Sequence, residues 1–147
     1  DTIPSNSDLK KYGHLNRGAH FIVDRDGTTY RLWPDDIFCR HAIGVDHLAI
    51  GIENVGGTKQ SPLTDAQERA NALLVRFLLY KYDGIKTLVG HDEVDDMSRA
   101  NHPFVVENVK DYRALGSRED YKHDPGKKFI NQVRKRLRDL NLKGPRD

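Results

Sequence analysis

At 147 residues, 37% hydrophobic and 31% charged, the chain is the size of one domain that buries a core without cross-links. Twenty-four Lys and Arg against 22 Asp and Glu give a formal net charge of +2, too weak a basic field for a dedicated nucleic-acid binder, so nucleic acid is not an expected partner. The single cysteine, Cys39, excludes an internal disulfide and any thiolate cluster, and no apolar run approaches the ~20 residues needed to cross a bilayer.

The first expected elements form a hairpin over His20 to Trp33. Phe21-Ile22-Val23 and Thr28 to Trp33 are β-formers on either side of Asp24-Arg25-Asp26-Gly27, whose Asp-Gly pair suits a tight turn. A third strand is expected over Leu48 to Glu53, with Leu48, Ile50 and Ile52 on one face and Ala49, Gly51 and Glu53 on the other. Thr64-Asp65-Ala66-Gln67 has the form of a capping box, and Ala70, Leu73, Leu74, Phe77 and Leu78 follow at helical spacing, so a helix should run from Thr64 to near Asp83-Gly84. Lys86 to Val89 reads as a short buried strand that delivers His91 at its carboxyl end. Residues 92–121 are polar and mostly aperiodic, and read as an inserted loop bordering a site. A last helix is expected from Lys127 to Leu140, buried along Phe129, Ile130, Val133, Leu137 and Leu140, before a frayed tail over 143–147. Strands first and helices afterwards point to a single α/β domain, a mixed central β-sheet flanked by helices.

Without thiolates, any metal here needs His and carboxylate ligands. In Lys122-His123-Asp124-Pro125-Gly126 the Pro and Gly impose a turn. In an extended approach to that turn Lys122 and Asp124 share one side while His123 faces away. The plainer alternative is that Asp124 caps the helix starting near Lys127 and Lys122 is a surface charge.

Five motifs occur in order: His20-Phe21-Ile22, Arg40-His41-Ala42, Ala49-Ile50-Gly51-Ile52-Glu53, Gly90-His91, and Lys122-His123-Asp124-Pro125-Gly126. Together they resemble the type-2 N-acetylmuramoyl-L-alanine amidases and peptidoglycan recognition proteins, over roughly residues 19–138. The resemblance implies one zinc ion per chain, with His91 and Asp124 as two ligands, Glu53 as general base and Lys122 as oxyanion stabiliser. It also implies cleavage of the amide bond between the lactyl group of N-acetylmuramic acid and L-alanine. The substrate would be peptidoglycan or a released muropeptide. His41 and Asn54 lie beside family motifs and are candidates for substrate contact, with a structural hydrogen-bonding role as the alternative.

The family's first ligand is a His on an opening strand, and none of the nineteen residues before His20 reads as that strand. The third ligand is therefore expected upstream of Asp1, with His14 or His20 as substitutes. The segment between His91 and Asp124 is longer than in compact members, and Phe104, Tyr112 and Tyr121 are candidate sugar or peptide contacts. A competing reading is a muropeptide recognition module without activity, because such modules lose a zinc ligand. Weaker is a basic module using Lys127, Lys128, Arg134, Lys135, Arg136 and Arg138. The resemblance leads to an extracytoplasmic monomer, periplasmic or secreted, with a cytoplasmic recycling enzyme as the alternative.

Overall fold

The computed structural model describes residues 16–42, 45–99 and 123–144. The strands are β1 (Asn16–Arg17), β2 (Phe21–Val23), β3 (Thr29–Arg31), β4 (Cys39–Arg40) and β5 (Ile52–Asn54). The helices are α1 (Asp65–Lys81), α2 (His91–Arg99) and α3 (Lys127–Arg136), and a 3-10 turn follows at Arg138–Leu140.

The hairpin forms where β-branched and aromatic residues flank the Asp-Gly turn: β2 and β3 pair antiparallel, with Phe21 opposite Arg31 and Val23 opposite Thr29. The turn is closed by the Asp24 amide donating to the Thr28 carbonyl at 2.8 Å, and Gly27 takes φ +91°, which a residue with a Cβ adopts only under strain. On its other edge β2 pairs in parallel with β5, Phe21 facing Ile52 and Val23 facing Asn54. The sheet order is β3-β2-β5, and a separate parallel pair, β1-β4, lies in another ladder. The expected third strand is present but shifted, because residues 48–51 stay outside the ladder and pairing begins at Ile52.

Helix α1 begins as its capping box requires. The Thr64 hydroxyl accepts from the Gln67 amide and the Gln67 side chain accepts from the Thr64 amide. Its buried stripe differs from the expected one: Leu74 and Leu78 pack on Phe21 of the sheet, while Ala72 and Val75 pack on Phe129, Val133 and Leu137. Contact on two sides turns Leu73 and Phe77 outward, where they are 68% and 54% exposed. Each fully buried Leu, Val or Phe at these contacts contributes about 1.5–3 kcal/mol of transfer free energy.

Gln67, fully buried, also reaches back to the sheet, its Nε2 donating to the carbonyls of Val23 at 3.1 Å and Val55 at 3.0 Å. One side chain thus closes the open ends of β2 and β5 and fixes α1 against both. Gln67→Leu keeps the volume but takes the side-chain donor from the Val55 carbonyl and the acceptor from the Thr64 amide, while the Val23 carbonyl keeps only the Val55 amide. We expect it to lower stability by about 2–4 kcal/mol, read as a fall in the urea midpoint with an unchanged slope.

Four further expectations are corrected. Lys86 to Val89 is not a strand; only an isolated bridge forms between Thr87 and Lys143, because the chain passes its partner at a single point. That bridge also ties down Lys143, expected to fray, with its amide donating to the Lys86 carbonyl at 2.9 Å. The first residues of the expected loop are helical: α2 places Val94 and Met97 on Ala42 and Val45. Phe104, Tyr112 and Tyr121 lie outside the described residues. The last helix is buried along Phe129, Ile130, Val133 and Leu137 as expected, but stops at Arg136 before the 3-10 turn.

Candidate active site

Among the described residues, His20, His41, Glu53, Asn54, His91 and Asp124 all line one cleft, with a volume of about 1270 Å³. Its floor is set by a close approach. A Cβ on Gly51 would sit 2.4 Å from Cγ of His41, so the imidazole lies against bare backbone. This is why Arg40-His41-Ala42 and Gly51-Ile52-Glu53 occur together. Gly51→Ala forces the ring or the strand to move. An expected loss of about 1–3 kcal/mol, the usual cost of overpacking, is to be read as a lower Tm.

The His41 segment is held by Asp46, whose Oδ1 accepts from the amides of His41 at 2.8 Å and Ala42 at 2.7 Å. Nε2 of the ring lies 3.2 Å from the Ala49 carbonyl, which assigns the proton to that nitrogen. Burial holds the imidazole below its ordinary pKa; Asp46 and the Ala49 carbonyl oppose that shift, while His20 and His91 add to it. His41 therefore sits in the wall as a neutral ring, 8% exposed at its side chain.

His20 has both ring nitrogens engaged. Nδ1 accepts from the Gly51 amide at 3.0 Å and Nε2 donates to the Ile37 carbonyl at 3.0 Å. Its function is to join β2 to the stretch before β5, and it offers no lone pair to a metal. The expectation that His20 might substitute for the missing ligand is corrected on that ground, and His14 lies outside the described residues. Asn54 lies on the helix side of β5, where its Oδ1 accepts from Asn71 Nδ2 at 2.7 Å, and Asn71 also donates to the Gln67 carbonyl. That geometry is the structural hydrogen-bonding role. Glu53, one residue earlier, points the opposite way and is exposed.

His91 is the first residue of α2, not the end of a strand. Its Nδ1 lies 3.7 Å from Oδ2 of Asp124, beyond hydrogen-bond length. Two ligands bound to one zinc at tetrahedral angles stand about 3.3–3.5 Å apart, so the pair is a few tenths of an ångström wider than two corners of such a site. The side chains are 25% and 52% exposed, open to the cleft. No group of three His, Cys, Asp or Glu side chains with metal-binding placement occurs among the described residues. Lys122, the expected oxyanion partner, lies outside them.

The two candidate ligands are brought together by backbone. The Asp92 amide donates to the Asp124 carbonyl at 2.9 Å, and a Cβ on Gly90 would stand 2.9 Å from Cδ of Pro125. Gly before His91 and Pro after Asp124 are thus two halves of one contact. Asp124 does not cap α3; the N-cap is Gly126, at φ +82° with no side-chain hydrogen bond, which removes the plainer reading of the Asp-Pro-Gly turn. Beside the pair, burial and then the Glu93 carboxylate push Asp92 up to about 6.

Three of the six basic residues expected to form a stripe are paired with carboxylates. Lys127 lies 3.5 Å from Asp96, Arg134 pairs with Glu93, and Arg136 pairs with Asp65 and Glu68.

The model of the N-acetylmuramoyl-L-alanine amidase family matches residues 2–105. The chain belongs to that family. Among curated relatives, the endolysin of Escherichia phage T7 is 37% identical over 90 residues, covering 58% of this chain and 59% of the phage protein. The endolysin of Enterobacteria phage T3 is 35% identical over 88 residues, covering 56% and 58%. The chain thus spans under two thirds of the length of these relatives. Among solved structures, the N-acetylmuramoyl-L-alanine amidase LysC from Clostridium intestinale URNW aligns with a TM-score of 0.51 and 26% identity, over 86% of this chain and 66% of that one. The fold is therefore the amidase fold. The family match ends before Asp124, whose place in the site rests on its geometry with His91. No helix among the described residues is long and apolar enough to cross a membrane.

Proposed function

We propose that the protein is a zinc-dependent N-acetylmuramoyl-L-alanine amidase, cutting the amide bond between the lactyl group of N-acetylmuramic acid and the L-alanine of the stem peptide. The observation that carries this reading is the His91–Asp124 pair, 3.7 Å apart, on the same cleft as Glu53. His91 and Asp124 would hold the ion together with a third ligand from outside the described residues. Zinc when bound supplies a Lewis acid that polarises the scissile carbonyl and acidifies a water.

The remaining work belongs to the chain. Glu53, solvent-facing at the start of the cleft wall, accepts the proton of the attacking water and returns it to the departing amine of L-alanine. Lys122 offsets the charge that grows on the carbonyl oxygen. His41, neutral and clamped by Asp46 and Ala49, holds the wall against which the substrate lies rather than exchanging protons. The substrate is peptidoglycan or a muropeptide released from it.

The test is release of L-alanyl peptide from a muramoyl-peptide by the full-length protein with zinc supplied. Release that stops on chelation and returns with zinc supports the reading. Tight muropeptide binding with no release under the same conditions replaces it with a recognition module.

A further inference from the structure

Glu93 and Arg134 are 41 positions apart and make a bidentate pair, Arg134 Nη1 to Glu93 Oε1 at 2.8 Å and Nη2 to Oε2 at 2.5 Å. The Glu93 side chain is 8% exposed and that of Arg134 is 21% exposed, so the pair is shielded from solvent far more than a surface bridge. Neither residue belongs to any motif that carries the family resemblance.

What the pair holds is the turn that presents His91. Glu93 Oε2 also accepts the amide of Gly90 at 2.8 Å, while the amides of Glu93 and Val94 donate to the Gly90 carbonyl at 3.1 and 3.2 Å. Glu93 thus reaches back from the third position of α2 to the residue before its first turn, the reciprocal half of a capping box. Gly90 cannot supply a capping side chain of its own, because a Cβ there would collide with Asp92 and Pro125. Only the reciprocal half of the box is therefore made, and the Glu93 carboxylate makes it. Arg134 Nη2 extends the lock one step back, donating to the Leu88 carbonyl at 2.6 Å.

Arg134 rides on α3, the helix that starts directly after Asp124-Pro125-Gly126. One guanidinium therefore ties the helix behind Asp124 to the Leu88 carbonyl before Gly90 and to the Glu93 carboxylate after it. We propose that the Glu93–Arg134 fork is a positioning device that sets the separation of His91 and Asp124, and hence the affinity of the site for its metal. This inference rests on the zinc reading above. Support behind ligands changes metal affinity by about 10–100-fold when removed.

The molecule contains its own control. Arg76 forks onto Asp139 at 2.8 and 2.7 Å and donates to the Arg136 carbonyl, the same chemistry between α1 and the end of α3, with no contact to the His91 turn. The experiment measures zinc affinity of the full-length protein by chelator competition, the cobalt(II) absorption spectrum, and Tm without metal. Arg134→Met and Glu93→Gln are expected to weaken zinc binding about 10–100-fold and to alter the cobalt spectrum. Arg134→Lys, which keeps the charge but not the fork, should fall between them and wild type. Arg76→Met should lower Tm without changing zinc affinity or spectrum. If Arg134→Met and Glu93→Gln lower Tm but bind zinc as wild type does, the fork is only a structural bridge and the inference is overturned. If wild type itself binds no zinc, the metal reading fails first, and this inference with it.

Discussion

Glu53→Gln is expected to leave zinc and muropeptide binding nearly unchanged while lowering turnover by about 100-fold or more, the usual scale for loss of a general base. The side chain is exposed on the cleft face, and its neighbours Ile52 and Asn54 carry the packing, toward Phe21 and Asn71 respectively. The substitution therefore removes a proton acceptor and little else. The measurement is single-turnover release of L-alanyl peptide, with binding followed separately by calorimetry. Full turnover in Glu53→Gln would assign the base to another residue.

Asp124→Ala should differ in kind, because metal and activity would be lost together. Its carboxylate faces His91, while its backbone carbonyl, which survives the substitution, keeps the bond from the Asp92 amide. The fold is thus expected to persist, with Tm in the absence of metal close to wild type. Elemental analysis after equilibration with micromolar zinc should find about one ion per chain in wild type and almost none in the variant. Equal zinc in both would remove Asp124 from the ligand set.

Much of this arrangement was legible in the sequence, and the reasons it was or was not are local. The Thr64 capping box and the Asp26-Gly27 turn are written in adjacent residues, so hairpin and helix start emerge as read. The buried face of α1 departs from the expected one because apolar periodicity assumes one covered side, whereas α1 is covered on two and leaves Leu73 and Phe77 outside. The start of α2 was hidden by Asp92, Glu93, Asp95 and Asp96, which look like loop composition although acids favour a helix's first turn. The pairing of β1 with β4 spans two residues, too short for any pattern to register.

At the site, Gly90-His91 and Asp124-Pro125-Gly126 were visible as motifs, but the reason for their glycine and proline was not. That reason is a contact between segments more than 30 positions apart. The same holds for the reach of Gln67 to Val23 and for the Glu93–Arg134 fork. Each acts across the chain on a backbone group, and no spacing rule announces such a partner. The only sequence signal for Glu93 was its place three residues after a glycine that ends a strand-like run.

The hydrogen bond from the Asp92 amide to the Asp124 carbonyl has a consequence for how the protein family can change. It closes a loop whose two ends meet at the candidate metal site, so residues added to or removed from positions 100–122 change the contour between two anchored points without altering where those points stand. The cost of closing such a loop grows only with the logarithm of its length, about 0.6 kcal/mol per doubling. The sequence between the two anchors can therefore be lengthened, shortened or exchanged while the anchors stay in place.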